Sequence, residues 1–201
     1  MTREYLLISA GPLTDIIADI IFILDSSNDV TRDEYNKEKS FIKEFARYLN
    51  VAPGKSRAAV ITYGQSSDVL LKYGGYDSLT VFDVVINRAS YIGGTQRMDL
   101  ALDDAGRLLS EAKRCIPKWV ILLTAGRHPS DPRVKSLMEA SKPVRDQSDK
   151  VYVVAIGNKP DPKELKDIVK DPKDIFSVGS FQSLKSQARV IATTVANRSG
   201  K

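Results

Sequence analysis

The sequence predicts a doubly wound α/β fold, with a mostly parallel six-stranded sheet, one short antiparallel strand and helices on both faces. Two observations predict it. Short apolar, β-branched runs alternate with longer segments of helical period along the 201 residues. Three of these runs, beginning at Asp19, Lys118 and Val151, are apolar at consecutive positions. Runs of that kind are typical of central parallel strands that are covered on both faces.

The sequence pattern predicts some strands more clearly than others. The strongest are predicted at 18–24, 57–63, 119–124 and 151–156. Two weaker strands, at 69–73 and 175–178, are expected nearer the edges of the sheet. Trp119 lies in a central strand and is therefore expected in the core.

The first helix is predicted to begin at a capping box, in which Thr31 and Glu34 satisfy each other's free backbone donors, and to end near residue 49. Its apolar residues fall on one arc, which is expected to cover the sheet. Lys39, Lys43 and Arg47, here called the basic row, lie at i, i+4 and i+8 on the opposite side and are expected to face water. Further helices are predicted at 79–88, 97–112, 132–147, 163–169 and 181–196.

Length and composition predict one globular domain over 18–196, with an N-terminal extension at 1–17 and a loose tail at 197–201. Thirty basic against twenty-five acidic residues give a net charge of +5, which favours acidic partners. No window holds the roughly eighteen apolar residues of a membrane span, so membrane insertion is not expected. Residues 1–13 fit a secretory signal poorly. One sequon, at Asn197, would permit glycosylation in a secreted protein.

Two residue types limit the available chemistry. Cys115 is the one cysteine, which excludes an intramolecular disulfide and a cysteine zinc cluster. It is expected to be a small, half-buried residue, with a bridge between chains as the alternative. His128 is the one histidine and is expected at the surface of a polar loop. With a single histidine and no glycine-rich phosphate loop, an enzyme is not expected.

Oxygen-bearing side chains cluster where the binding crevice of such a sheet is expected, beyond the carboxyl ends of its central strands. Asp25, Ser27 and Asp29 follow the first strand, and Thr95 lies in the glycine-led loop before the third helix. This composition suits a hard divalent cation such as Mg²⁺ or Ca²⁺. The segment after the third strong strand begins with Ala125 and breaks the pattern.

Four segments together resemble a von Willebrand factor type A domain across about 18–196. They read Asp-Ile-Ile-Phe-Ile-Leu-Asp-Ser-Ser-Asn-Asp (19–29), Gly-Gly-Thr-Gln-Arg-Met-Asp-Leu (93–100), Val-Ile-Leu-Leu-Thr-Ala-Gly (120–126) and Val-Val-Ala-Ile-Gly-Asn (153–158). The segments look most similar to A domains of extracellular matrix proteins, such as those of collagen VI and of invertebrate matrix proteins. The resemblance implies a Rossmann-like fold and protein–protein contacts.

The family's metal-ion-dependent adhesion site reads Asp-x-Ser-x-Ser, then Thr, then Asp. Asp25, Ser27 and Thr95 match this pattern, whereas Asp29 replaces the second Ser and Ala125 stands in place of the last Asp. A lost carboxylate weakens both the charge and the water-holding shell of the site. Arg127, if close to the site, would oppose a cation further. The departures favour a vestigial site held by hydrogen bonds; a Mg²⁺ or Ca²⁺ site in which Asp29 compensates is the alternative.

The preferred hypothesis is a secreted, non-catalytic matrix adhesion module that contacts collagen or another matrix component. The crevice residues, with Arg127 and His128 beside them, would form one contact face. The basic row is either an ordinary solvated helix face or a dock for sulfated polysaccharide. Nucleic acid is disfavoured, because no aromatic side chains interleave with the row. Metal-dependent adhesion, completed by an acidic residue of the ligand, and an intracellular scaffold are the alternatives.

Overall fold

Six strands form a single sheet in the computed structural model, which describes residues 15–199. The strands are β1 (Asp19–Asp25), β2 (Arg57–Tyr63), β3 (Ser67–Leu71), β4 (Lys118–Thr124), β5 (Lys150–Ile156) and β6 (Ile175–Val178). Their order across the sheet is β3-β2-β1-β4-β5-β6, and only the β2–β3 pair is antiparallel. The predicted fold class is therefore confirmed, and the two weaker strands are the edges. Most of the predicted N-terminal extension lies outside the described residues.

Within the described residues, six α-helices cover the two faces of this sheet, and a short 3₁₀ helix (Pro172–Asp174) precedes β6. The α-helices are α1 (Arg32–Tyr48), α2 (Leu79–Arg88), α3 (Met98–Glu111), α4 (Leu137–Gln147), α5 (Pro162–Leu165) and α6 (Phe181–Ser199). Alternate residues of β1 point to opposite layers, so Phe22 packs with α1, α2 and α6 while Ile23 packs with α3, α4 and α5. Trp119 is buried in the first of these layers, as predicted. Among residues 15–199, no helix is both long and apolar enough to cross a bilayer.

Local hydrogen bonds explain where the boundaries differ from prediction. The strand β3 begins two residues early, because a tight turn pairs Tyr63 with Ser67. The helix α4 begins at Leu137 rather than at residue 132, since the Ser136 hydroxyl caps it by accepting from the Glu139 amide. The helix α5 ends early because i→i−3 bonds, such as that from the Ile168 amide to the Leu165 carbonyl, tighten the chain.

Two expectations near the chain surface are wrong. The helix α6 continues through Ser199, so the predicted tail at 197–201 is helical over its described part, and Asn197 lies exposed on that helix. Cys115 is exposed rather than half-buried, because it lies in the turn between α3 and β4. The capping box of α1, by contrast, is confirmed: Thr31 and Glu34 satisfy each other's backbone donors.

Candidate functional site

The loop after β1 and the glycine-led loop before α3 are joined by backbone hydrogen bonds. The Gly93 amide donates to the Ser26 carbonyl at 2.7 Å, and the Asn28 amide donates to the Gly94 carbonyl at 2.9 Å. The Asn28 side chain closes the contact by accepting from the Gly94 amide at 2.8 Å. Two of the three segments predicted to surround a crevice therefore form one continuous rim.

Asp25 lies at the centre of this rim and is fully buried. Its carboxylate accepts three hydrogen bonds, from the Ser27 amide at 3.0 Å, the Ala125 amide at 3.0 Å and the Gln96 side-chain amide at 2.6 Å. Burial raises the pKa of Asp25, and these hydrogen bonds oppose the rise. Protein donors thus surround the carboxylate that the sequence pattern assigns to a cation.

A second buried carboxyl, Glu38 of α1, lies beside Asp25. Its Oε2 accepts from the Asp25 backbone amide at 2.9 Å, and its Oε1 has no hydrogen-bond partner among the described residues. Burial raises the pKa of Glu38 well above its usual value, and the neighbouring Asp25 adds to the rise. The environment therefore favours the neutral form of Glu38.

Asp29, the residue that could replace a lost carboxylate, forms an ion pair. Its Oδ1 lies 2.9 Å from the Nζ of Lys159, in the loop after β5. Its carboxylate also packs against Gly126, where an added Cβ would lie 2.1 Å from Oδ2. The Ser27 hydroxyl accepts from the Asp29 amide at 3.3 Å, so it stabilises the loop.

The remaining pattern positions provide fewer oxygens. The Thr95 side chain is exposed, and Ala125 is buried and has no oxygen on its side chain. Gln96, next to Thr95, bridges Asp25 to the Thr124 hydroxyl at 2.9 Å, and its Oε1 has no described partner. Within residues 15–199, no group of three or more His, Cys, Asp or Glu side chains is arranged to hold a metal ion. Because Ala125 supplies no side-chain oxygen and the Asp25 carboxylate already accepts three N–H donors, the pattern residues fit a divalent cation poorly.

An open crevice of about 440 Å³ lies beside the rim. It lies between the β1–α1 loop, the ends of β4 and β5, and the start of α6; the lining includes Asn28, Asp29, Thr31, Ala125, Lys159 and Phe181. Asp29 and Lys159 thus bring opposite charges to its wall. A surface of this kind suits contact with the polar groups of a protein.

Arg127 and His128 make their hydrogen bonds outside the rim. Arg127 is exposed, donates to the Lys159 carbonyl at 3.2 Å and lies 3.9 Å from the Asp161 carboxylate, so the cation in contact with a pattern residue is Lys159. The expected surface position of His128 is wrong, because the chain folds over it until 9% of the residue is exposed. Its Nε2 lies 2.8 Å from the Lys135 carbonyl, which holds the ring inside the loop.

The expectation that the basic row faces water is wrong for Lys39, which is buried, and holds for Arg47, which is exposed; α2 packs beside the row. Lys39 and Lys43 donate to the backbone carbonyl and side-chain oxygen of Asn87, at 3.3 and 2.7 Å. Arg47 forms an ion pair with Asp83 of the same helix. The row therefore joins two helices and is not a free charged surface.

Three important residues were not predicted: Glu38, Gln96 and Lys159. The sequence carries a signal for the first, since Glu38 lies three residues after Tyr35 and four before Ile42, on the apolar face of α1. An acidic residue at an apolar position indicates a buried partner. No local pattern marks Gln96 or Lys159, because their partners lie 71 and 130 residues away.

Close backbone contact at Gly64 gives a test of this rim. A Cβ at Gly64 would lie 2.2 Å from the Gly93 carbonyl and 3.1 Å from the Ser26 carbonyl. We expect Gly64→Ala to lower the free energy of unfolding by about 1 to 3 kcal/mol, because the rim must move apart. Gly179→Ala is the matched control: nothing lies within 4 Å of its added Cβ. Urea denaturation that finds equal effects would contradict the close contact.

Comparison with known proteins gives consistent matches. The family model described as von Willebrand factor type A domain matches residues 19–189. Cuticlin-6 of Caenorhabditis elegans is 27% identical over 176 residues, which are 86% of this chain and 29% of that protein. The collagen alpha-6(VI) chain of Homo sapiens is 25% identical over 172 residues, covering 84% of this chain and 7% of that one. The chain thus spans less than a third of these relatives.

Among solved structures, proximal thread matrix protein 1 from the mussel byssus has a similar fold. One crystal form superposes with a TM-score of 0.84 at 19% identity, covering 93% of this chain and 50% of that one. A second structure of that protein, described as having a zinc-occupied metal-ion-dependent adhesion site, gives a TM-score of 0.80 at 22% identity over 93% of this chain and 47% of that one.

Proposed function

Because the chain belongs to the von Willebrand factor type A family, we propose that it is a secreted, non-catalytic adhesion module of the extracellular matrix. Its partner is collagen or another matrix protein, which it contacts through the crevice beside Asp29 and Lys159. A collagen VI chain and a byssal thread matrix protein are among the proteins it resembles. These similarities support the role in a matrix, and the crevice supplies opposite charges, on Asp29 and Lys159, for the contact.

We further propose that this contact needs no tightly held metal ion. The proposal rests on the Asp25 carboxylate. It already accepts hydrogen bonds from three N–H donors, whereas a cation would need its oxygens free. A bound ion would have to break these bonds in a buried place, and unpaired buried donors are costly.

The charges around Asp29 support the same conclusion. Lys159 neutralises the one carboxylate that could replace the missing one, and its ammonium would repel a divalent ion on the same oxygens. The carboxyls that remain, Asp25 and Glu38, both have pKa values raised by burial, so the site disfavours accumulated negative charge.

Calorimetric titration of the chelator-stripped chain with Mg²⁺, Ca²⁺, Mn²⁺ and Zn²⁺ tests the metal proposal. We expect no binding at micromolar strength and no rise in the melting temperature, because the oxygens are already engaged. A double variant, Asp29→Ser with Ala125→Asp, restores the family pattern and is expected to gain affinity for these ions. Micromolar binding by the wild-type chain that disappears in Asp25→Ala would contradict the proposal.

That outcome would favour a second function, metal-dependent adhesion, in which an acidic residue of the partner completes the coordination of the ion. The observation in its favour is that Asp25, at the end of β1, is bonded to Ser27 in the loop that follows, and that this loop is bonded to the loop that carries Thr95. The mussel protein with a zinc-occupied site supports it as well. Binding of the chain to immobilised collagen, with and without chelator, separates the two functions: the first predicts no change, and the second predicts loss.

A further inference from the structure

A groove between α1 and the end of α2 is lined by three basic side chains and by no carboxylate. Arg32 and Lys39 come from α1 and Arg88 ends α2; these three define what we call the basic groove. Tyr35, Ser90 and Tyr91 complete most of its wall, and its volume is about 450 Å³. The groove lies on the flank of the domain and shares no lining residue with the crevice beside Asp29.

Lys39 is the buried member of the groove, with 8% of the residue exposed. Its ammonium donates to the Asn87 carbonyl at 3.3 Å and lies 5.1 Å from the centre of the Tyr35 ring. Within residues 15–199, no carboxylate lies within ion-pair distance of it. Burial lowers the pKa of Lys39, with a further lowering from the neighbouring Lys43. A buried ammonium without an opposite charge is costly, and an anion in the groove would offset that cost.

The two arginines have the same unpaired character. Neither Arg32 nor Arg88 forms an ion pair with any described residue. The Arg32 guanidinium lies 4.9 Å from the centre of the Tyr91 ring, and the Tyr91 hydroxyl is fixed by donating to the Ser27 and Val30 carbonyls, at 2.9 and 2.7 Å. A planar guanidinium held in this way suits the oxygens of a tetrahedral anion.

Another basic cluster, at the opposite end of the sheet, provides a useful contrast. Arg57 and Arg114 lie there with Lys72 and Lys113, but Glu111 lines the same cavity and the buried Asp19 pairs with both arginines. Its two arginines therefore share one carboxylate of this chain and are partly neutralised by it. In the basic groove no described carboxylate pairs with the three cations, so all three charges remain available to an anionic partner.

We propose that the basic groove binds the sulfate groups of a sulfated polysaccharide. The groove is open to solvent at Arg32 and Arg88, so a polymer can pass along it while one sulfate approaches Lys39. Three like charges with no acid between them complement a chain of repeated sulfates. Of the basic row, only Lys39 lines the groove, since Lys43 and Arg47 pack against α2. The inference goes beyond adhesion to a matrix protein and stands if that proposal fails.

Calorimetric titration of the full chain with a heparin-derived octasaccharide tests the proposal. The test variant is Arg32→Gln with Arg88→Gln, and the matched control is Lys72→Gln with Lys113→Gln. Both pairs remove two exposed positive charges, so their net charges are equal. We expect the groove pair to weaken binding by about tenfold or more, because guanidinium–sulfate bonds are lost, and the control pair to weaken it by less than about threefold.

Several outcomes would overturn the proposal. If the two pairs weaken octasaccharide binding equally, net charge alone explains the effect. If the control pair weakens binding more, the binding site lies at the other end of the sheet. A desulfated octasaccharide that binds as well, or a polyglutamate peptide that competes equally, would exclude sulfate recognition. Absence of octasaccharide binding would also overturn it, and collagen binding by the same sample would show that the adhesion proposal survives.

Lys39→Met provides a readout of the buried position. This variant removes the unpaired ammonium and keeps most of the apolar length of the side chain. We expect its melting temperature to equal or exceed that of the wild-type chain, while octasaccharide affinity falls by about tenfold. Unchanged octasaccharide affinity in a folded variant would show that Lys39 does not contact the sulfate. If Lys39→Met fails to fold, the arginine pair decides the question.

Discussion

Replacing Asp25 with alanine is expected to destabilise the chelator-treated chain by about 2 to 4 kcal/mol, because three buried donors each lose their acceptor at roughly 1 to 3 kcal/mol. These donors are the amides of Ser27 and Ala125 and the side-chain amide of Gln96. Relief of the buried charge on Asp25, whose pKa is raised by burial, offsets part of the loss. Urea denaturation in the presence of chelator measures the effect.

The sign of this change separates two roles for Asp25. A carboxylate that waits for an ion repels its neighbours when the ion is absent, so its removal stabilises the metal-free protein. A carboxylate that organises the loops by hydrogen bonds does the opposite. Asp29→Ala is the matched control and is expected to cost less than about 1 kcal/mol, because the ion pair of Asp29 with Lys159 is partly exposed. Unchanged or higher stability of Asp25→Ala would contradict the structural role.

The second large effect is expected at the opposite end of β1, where Asp19 is fully buried. Arg57 binds its carboxylate through two hydrogen bonds, of 2.8 and 2.6 Å, and Arg114 adds a third at 3.3 Å. We expect Arg57→Met to lower the free energy of unfolding by about 3 kcal/mol, near the lower limit for breaking a buried ion pair, since Arg114 remains. Chemical denaturation at neutral pH checks the value.

The control for this variant is Arg107→Met, the same substitution in an ion pair on the surface of α3. Arg107 pairs there with Asp104 while its side chain remains 63% exposed. Pairs of that kind contribute less than about 1 kcal/mol. If the two variants lose equal stability, Arg57 does not neutralise Asp19 and the buried carboxyl is stabilised in another way. Arg57→Lys, which keeps the charge but loses the two-bond geometry, is expected to lie between them.

The sequence predicted some residues of the site and missed others. The oxygen pattern correctly directed attention to the loops after β1 and before α3, which the structure joins. Asp25 and Asp29 were identified as the available carboxylates, but their partners were not. Gln96 and Lys159 make those contacts from 71 and 130 residues away, and hydrogen bonding at that separation leaves no periodic trace along the chain.

The sequence by itself determined the order of the twelve main elements, the central and edge positions of the strands, and the family. The elements could be predicted because burial on one or both faces imposes a period on the residues that form each of them, whereas the family followed from the resemblance of four segments. The tertiary structure alone decided which polar groups meet. The basic row lies against α2, His128 is enclosed by its loop, and Lys39 enters a groove of unpaired charge. For the basic row and Lys39 the packing of one helix beside another sets these contacts, and the period of a single helix contains no information about its neighbour. The enclosure of His128 depends on the path of an irregular loop, which has no period.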